Sequence, residues 1–261
     1  MIYTLFVYFN HRVHCARSHI LLLCSLFQDF AFSRQPIAIC RPPFTFSAFC
    51  FPIFIDFTTF ALYFIDDMNK KEIAAFFDRM APEWDANMIK SDEKINFILD
   101  AAGVKENSVV LDVACGTGVM FPYYLARGAE RVIGVDISAQ MARIAASKMH
   151  DQRVEVICGD VEEIPVERLC DCCVVYNAFP HFESPERLVE RLSHWLKSGG
   201  RLTVAHGMSL DALRTHHKGR ADSVSREMLT AEELSAVFAP YFDVDVAVSD
   251  DEKFVVSGAK R

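Results

Sequence analysis

The chain has 261 residues, with 27 Lys and Arg against 35 Asp and Glu, a net charge of −8 at neutral pH. An acidic chain repels a phosphate backbone, so non-specific nucleic-acid binding is excluded and small-molecule chemistry becomes the default expectation. Composition divides the chain near Met68: residues 1–67 contain no Gly, Lys or Glu but 13 of the 22 Phe, and all 11 Gly lie beyond them.

Three readings of residues 1–67 stay open. A secretory signal has an apolar stretch in Ile20–Phe27 with Arg12 and Arg17 before it, but no small-residue cleavage site follows. A membrane anchor has the length it needs in residues 44–65, yet Pro52 and Asp56 fall mid-span, and a central Asp costs about 2.5–3.5 kcal/mol on insertion. The favoured expectation is an upstream extension with no fold of its own, because Met68 is followed by an amphipathic helix with Ile73, Phe76, Phe77 and Met80 at helical spacing.

From Met68 onward, strands and helices alternate. Short apolar runs predict strands at Ser108–Val113, Arg131–Asp136, Val154–Cys158, Asp171–Tyr176 and Arg201–His206, each continuous enough to be buried on both faces of a parallel sheet. Ser138 is placed to cap the helix that follows the second strand. Ser184 and Pro185 open another, with Leu188, Leu192, Trp195 and Leu196 as its buried stripe and Gly199 as its end. Thr230 and Glu233 form a capping box. Tyr241–Val248 and Lys253–Ala259, joined by Ser249–Glu252, read as a hairpin. The expected fold is a doubly wound, mostly parallel α/β sheet of seven strands ending in an antiparallel pair, with ligands at the carboxyl ends of its central strands.

The first of those ends carries Leu111–Gly118, LDVACGTG, a loop of small residues that lets a ligand approach the backbone. A dinucleotide fingerprint fails, because the third glycine position falls on Val119 or Phe121. A triphosphate loop fails as well, because no Lys is near. Asp112, Asp136 and Asp160 end three successive strands. Asp136 would accept from both ribose hydroxyls of a nucleoside, and Asp160 from an adenine amino group beside the next backbone N–H. Strand-end acids also cap helices and turns, which is the structural alternative for each one singly.

These segments resemble the class I S-adenosylmethionine-dependent methyltransferases. LDVACGTG is similar to their first motif, VIGVDIS to their ribose-binding strand end and CGDVEEIP to their adenine-binding turn, with YNAFPHF and LKSGGRLTV similar to the fourth and fifth segments. The resemblance spans essentially Met68–Arg261 and is nearest to the branch that includes quinone-biosynthesis methyltransferases. There Phe77–Asp85 would match the amino-terminal segment that closes over the cofactor, and Ala114 stands where many relatives have glycine. The resemblance implies a Rossmann-like methyltransferase fold and S-adenosylmethionine as cofactor. It also implies that Ala114, Gly116, Thr117 and Gly118 form the loop for the methionine part and that Asp112 orients the loop and the amino group. Asp136 would hold the ribose and Asp160 with Val161 the adenine; Ile137 and Met141 would pack beside the base, and Asn177 would lie near the sulfonium. Catalysis would be chiefly positioning, plus removal of a proton when the nucleophile carries one.

On the acceptor side the stretch Asn177-Ala178-Phe179-Pro180 lacks the second proline usual in DNA and protein amino-group methyltransferases of this fold, which leaves a small-molecule acceptor. His181 and His206 are the candidate general bases, weighed against loop histidines that merely satisfy a carbonyl. His216 and His217 raise a metal site, but adjacent helical residues point about 100° apart, and no metal is expected. Cys170, Cys172 and Cys173 lack C-x-x-C spacing, and Cys115 is read as a small residue of the loop. Nine Cys without secretory logic indicate a reducing, cytoplasmic compartment. A non-catalytic cofactor-binding sensor or subunit of the same fold is the alternative to an enzyme. Membrane contact is expected only if residues 44–65 are an anchor.

Overall fold

The computed structural model describes residues 70–220 and 224–261, with the side chains of 216–220 left out. The readings of residues 1–67 and of the His216 and His217 side chains lie outside the described residues. Helix α1 covers residues 70–80, and two short 3-10 turns, Ala81–Glu83 and Asp85–Asn87, follow it. The remaining helices are α2 (Asp92–Ala101), α3 (Phe121–Ala126), α4 (Ala139–Lys148), α5 (Pro185–Trp195), α6 (Leu210–Arg220) and α7 (Ala231–Phe238). The strands are β1 (Val109–Val113), β2 (Arg131–Asp136), β3 (Val154–Cys158), β4 (Cys170–Tyr176), β5 (Leu196–His206), β6 (Phe242–Ser249) and β7 (Phe254–Lys260).

They form one seven-stranded sheet in the order β3-β2-β1-β4-β5-β7-β6. Neighbours from β3 to β5 are parallel, whereas β7 runs antiparallel between β5 and β6. The chain order reverses between β1 and β4, so the carboxyl ends of β1, β2 and β4 converge on one crevice, the usual ligand position of such sheets. Alternate residues serve opposite cores. Leu111, Val113, Cys173 and Val175 join a cluster with α5 and α7, while Val110, Cys172 and Val174 join another with α2 and α3. Burial on both faces explains the continuous apolar runs of β1, β2 and β4, each fully buried aliphatic or Phe side chain contributing about 1.5–3 kcal/mol. By contrast β3, at the sheet edge, is only half-buried with Glu155 and Cys158 exposed, contrary to the expectation for its run.

The predicted caps form as expected. Ser138 accepts from Met141 N, Ser184 from Arg187 N, and Thr230 with Glu233 completes a capping box. One boundary differs: α5 stops at Trp195, and Leu196–Gly199, expected as the helix's last turn, belongs to β5. Leu196 pairs with Cys170 of β4 ahead of a register break, and a side chain at Gly200 would meet Lys197 O at 2.9 Å and Asp171 O at 3.1 Å. The pairing with β4 captures the segment that its local apolar spacing assigned to the helix.

Candidate functional site

The loop after β1 turns by three positive-φ residues, Ala114 (53°), Gly116 (57°) and Gly118 (79°). Alanine tolerates that region at a cost of about 1–2 kcal/mol, so Ala114 is a strained position held by its neighbours, among them Cys115 N donating to Val135 O at 3.0 Å. Asp136, ending β2, ties this loop to the next one: Oδ2 accepts from Gly116 N and Oδ1 from Ser138 N, both at 2.8 Å. Each carboxylate oxygen has a second lone-pair direction, so Asp136 keeps acceptor capacity for a ligand at 7% exposure. Burial pushes its carboxyl up to about 6, against the Ser138 and Gly116 N–H groups, with the charge of Asp78 adding to the rise.

Asp112 lies deeper, 1% exposed. Its Oδ2 and the Tyr124 hydroxyl are both buried and face one another without a hydrogen bond of good geometry. Burial pushes Asp112 up to about 8; the Tyr124 hydroxyl opposes the rise and the Asp136 charge adds to it. A buried carboxyl oxygen that lacks a well-aligned hydrogen bond and a loop with open space fit a ligand carrying a cationic or N–H group. A side chain at Gly116 would meet nothing nearer than Trp84 Nε1 at 3.9 Å. Asp160 follows β3, its Oδ1 accepting from Glu162 N at 2.9 Å. Met141 of α4 and Val161, next to Asp160, are buried, and Ile137 packs with Ile73, Phe76, Phe77 and Val224.

Several partners come from the amino-terminal segment, which the sequence marked only as a stretch. Asp78 of α1 accepts from Ser138 Oγ at 2.6 Å and Gln140 N at 2.9 Å. Asp85 accepts from the Thr117 hydroxyl and pairs with Lys148 at 2.6 Å; burial would raise its carboxyl, but these two partners hold it below the usual range. Lys70 lies 2.7 Å from Asp160 and 3.4 Å from Glu162; burial lowers its amine, and the carboxylates more than offset that. Thus α1 and its two turns are fastened to the ends of β1, β2 and β3. Their sequence signal was the run of acids and aromatics in Phe77–Asp85, but nothing local named the partner of each.

On the β4 side, Asn177 adopts φ 54° and accepts at Oδ1 from Gly207 N at 3.0 Å, joining the ends of β4 and β5. His181 follows in a short 3-10 turn, Phe179–His181. Its Nδ1 lies 2.9 Å from Val224 O and 3.1 Å from Ser225 Oγ, and its ring stands edge-on to Phe77 at 4.9 Å. His206 was expected to project into the acceptor space beside His181. Instead it is 1% exposed, with its ring edge-on to Phe254 of β7, because the antiparallel pairing with β7 covers the end of β5. The structure brings the three acids and the loop to one edge and leaves His206 within the core. Among the described residues no cluster of three or more His, Cys, Asp or Glu could hold a metal ion, and no helix is long and apolar enough to cross a membrane.

Residues 111–204 match a family model described as methyltransferase domain. The chain is 26% identical over 184 residues to a malonyl-[acyl-carrier protein] O-methyltransferase of Priestia megaterium, covering 65% of this chain and 67% of that protein. It is 28% identical to a demethylmenaquinone methyltransferase of Renibacterium salmoninarum, covering 53% of this chain and 60% of that one. The fold is shared with the N-methyltransferase NodS of Bradyrhizobium japonicum in complex with S-adenosylhomocysteine (TM-score 0.56, 11% identity, 74% of this chain and 98% of that one). It is shared too with a methyltransferase of Aquifex aeolicus (TM-score 0.54, 21% identity, 64% and 89%). Over residues 111–204 the chain thus matches a methyltransferase domain, and its motifs and sheet are similar to those of the class I S-adenosylmethionine-dependent methyltransferases, which supports S-adenosylmethionine as the cofactor.

Proposed function

We propose that this methyltransferase acts on a small-molecule acceptor, with cofactor-binding residues on the ends of β1, β2 and β3 and the acceptor on the β4 side. The observation that carries the reading is Asp136, whose carboxylate spans the glycine loop and the start of α4 while keeping acceptor capacity toward the crevice. When bound, the cofactor supplies an electrophilic methyl group on a cationic sulfur. In this reading Ala114, Gly116, Thr117 and Gly118 present backbone to its methionine part, Asp112 meets its ammonium, Asp136 the ribose, and Asp160 with Val161 the adenine. Ile137 and Met141 flank the base, and Asn177 shapes the wall near the sulfur. Phe77, Trp84 and Asp85, positioned by α1 and its turns, exclude water from the loop.

His181 is the general base of this reading. An Nδ1–H donated to Val224 O places the lone pair on Nε2, where it takes the proton of a nucleophile that carries one. His206 is not retained in that role, because a buried imidazole at the end of β5 offers no open face to an acceptor. The small-molecule class is supported by the relatives named for malonyl-[acyl-carrier protein] and demethylmenaquinone methylation. A reducing compartment is supported by the free cysteines Cys115, Cys158, Cys170, Cys172 and Cys173 among the described residues. We place the domain boundary at residue 68, as the composition suggests.

The test is calorimetric titration of S-adenosylmethionine into the full chain and its Asp136→Ala variant, followed by a methyl-transfer assay against a panel of small acceptors. Loss of a hydrogen bond to a charged group costs about 1.5–3 kcal/mol, so binding should weaken by about 10- to 150-fold in the variant. Equal binding by both proteins would refute the site. Binding without turnover on any acceptor, or turnover indifferent to His181→Ala, would refute the enzyme reading or the base respectively.

A further inference from the structure

Arg226 stands in the segment that leads into α7, against the loop that carries His181. Its backbone N donates to Pro180 O at 2.9 Å, Nε to Phe182 O at 2.9 Å and Nη1 to Glu227 O at 3.0 Å, while the guanidinium lies 4.7 Å from the centre of the Phe179 ring. These contacts fix the plane of the fork. Nη2 is different: it is buried and has no hydrogen-bond partner among the described residues. A pinned guanidinium with one buried donor left over is costly unless a ligand supplies the acceptor.

Arg226 lines a half-open cavity of about 130 Å³ together with His181 and Ser225, with Ile73 and Phe182 among its apolar lining. A cavity of roughly 150 Å³ admits a benzene-sized group, so this one takes the end of a molecule, about four to six heavy atoms, rather than a whole ring system. Glu183 also lines it and sits 4.0 Å from Arg187; Glu186 is the acid whose charge reaches Arg226. Neither accepts a hydrogen bond from Nη2.

We propose that this cavity is the acceptor subsite and that Arg226 selects an acceptor bearing a carboxylate. The proposal rests on the placing of the acceptor beside His181. A carboxylate suits a fixed guanidinium because it combines two acceptor oxygens with a charge that Arg cannot lose by deprotonation, whereas a neutral amide of the same shape offers one acceptor and no charge.

The experiment uses propionate and its neutral isostere propionamide as probes. Each is titrated by calorimetry into the full chain saturated with S-adenosylhomocysteine, as wild type, Arg226→Met and Arg226→Lys. Propionate should bind the wild type at least roughly tenfold more tightly than propionamide; Arg226→Met should abolish the preference and Arg226→Lys retain part of it. The wild-type comparison stands even if a variant folds poorly, and S-adenosylhomocysteine affinity reports separately on the cofactor site. Equal binding of the two probes, no binding of propionate, or a preference that survives Arg226→Met would overturn the proposal while leaving the cofactor reading intact. Absence of S-adenosylhomocysteine binding to the wild type would overturn both.

Discussion

Cofactor binding at neutral pH should expel a proton from Asp112. Burial places that carboxyl at about 8, so at pH 7 the ligand-free protein carries it ~90% protonated, whereas Asp136 at about 6 is only ~10% protonated. An ammonium placed against Asp112 favours the carboxylate, and an opposite charge within about 4–6 Å lowers such a titration by about 1–3 pH units. The bound-state value then falls between about 7 and 5, which releases about 0.4 to 0.9 of a proton, with Asp136 adding ~0.1 at most. The assay is titration of S-adenosylhomocysteine at pH 7 in buffers of different ionisation enthalpy, phosphate and Tris. The slope of apparent enthalpy against ionisation enthalpy counts the protons. Asp112→Asn, which cannot titrate, should reduce the count to below ~0.2. A slope of zero in the wild type, or one unchanged in Asp112→Asn, would refute the placing of the ammonium.

The same two carboxyls give the ligand-free protein a pH dependence of stability. Their folded values exceed the ordinary carboxylate value, so their contribution is fully present below about pH 4 and is lost as pH rises through 6 and then 8. Thermal melts should therefore fall between pH 5.5 and pH 8.5 by more in the wild type than in Asp112→Asn, and parallel curves would contradict the burial argument. Gly134→Ala should destabilise by about 1–3 kcal/mol, because the added methyl would come within 2.5 Å of Phe121 Cζ and 3.0 Å of Cys115 Sγ. Pairing it with Phe121→Leu should recover at least about 1 kcal/mol, and strict additivity in denaturant unfolding would show that the ring is not the obstacle. A chain beginning at Met68 should fold and bind S-adenosylhomocysteine within about threefold of the full chain, since it keeps Lys70 and its contacts with Asp160 and Glu162. A chain that melts without cooperativity would move the boundary upstream.

Much of this protein is legible in its sequence because it is written in local chemistry. The bounds of β2 and β3 coincide residue for residue with their apolar runs, since short β-branched runs between turn residues leave little choice, and the side-chain caps at Ser138, Ser184 and Thr230 need only their own next three residues. Gly116 and Gly118 allow positive φ, which the loop adopts at both, and also at Ala114, where the residue type does not announce it. Interactions between distant segments are not legible. The sheet order, the extension of β5 at the expense of α5, and the burial of His206 by β7 depend on which strand lies alongside. The partners of Asp136, Thr117 and Asp160 arrive from Gly116, Asp85 and Lys70. Arg226, one basic residue among many in the sequence, becomes distinctive only when packing against Phe179 and Phe182 leaves its Nη2 buried and unpartnered among the described residues, on a side chain that lines the cavity beside His181. Periodicity and turn chemistry act over a few residues and so survive in the one-dimensional pattern. Burial, pKa and hydrogen-bond partnership are properties of surroundings assembled from the whole chain, and only the tertiary fold decides them.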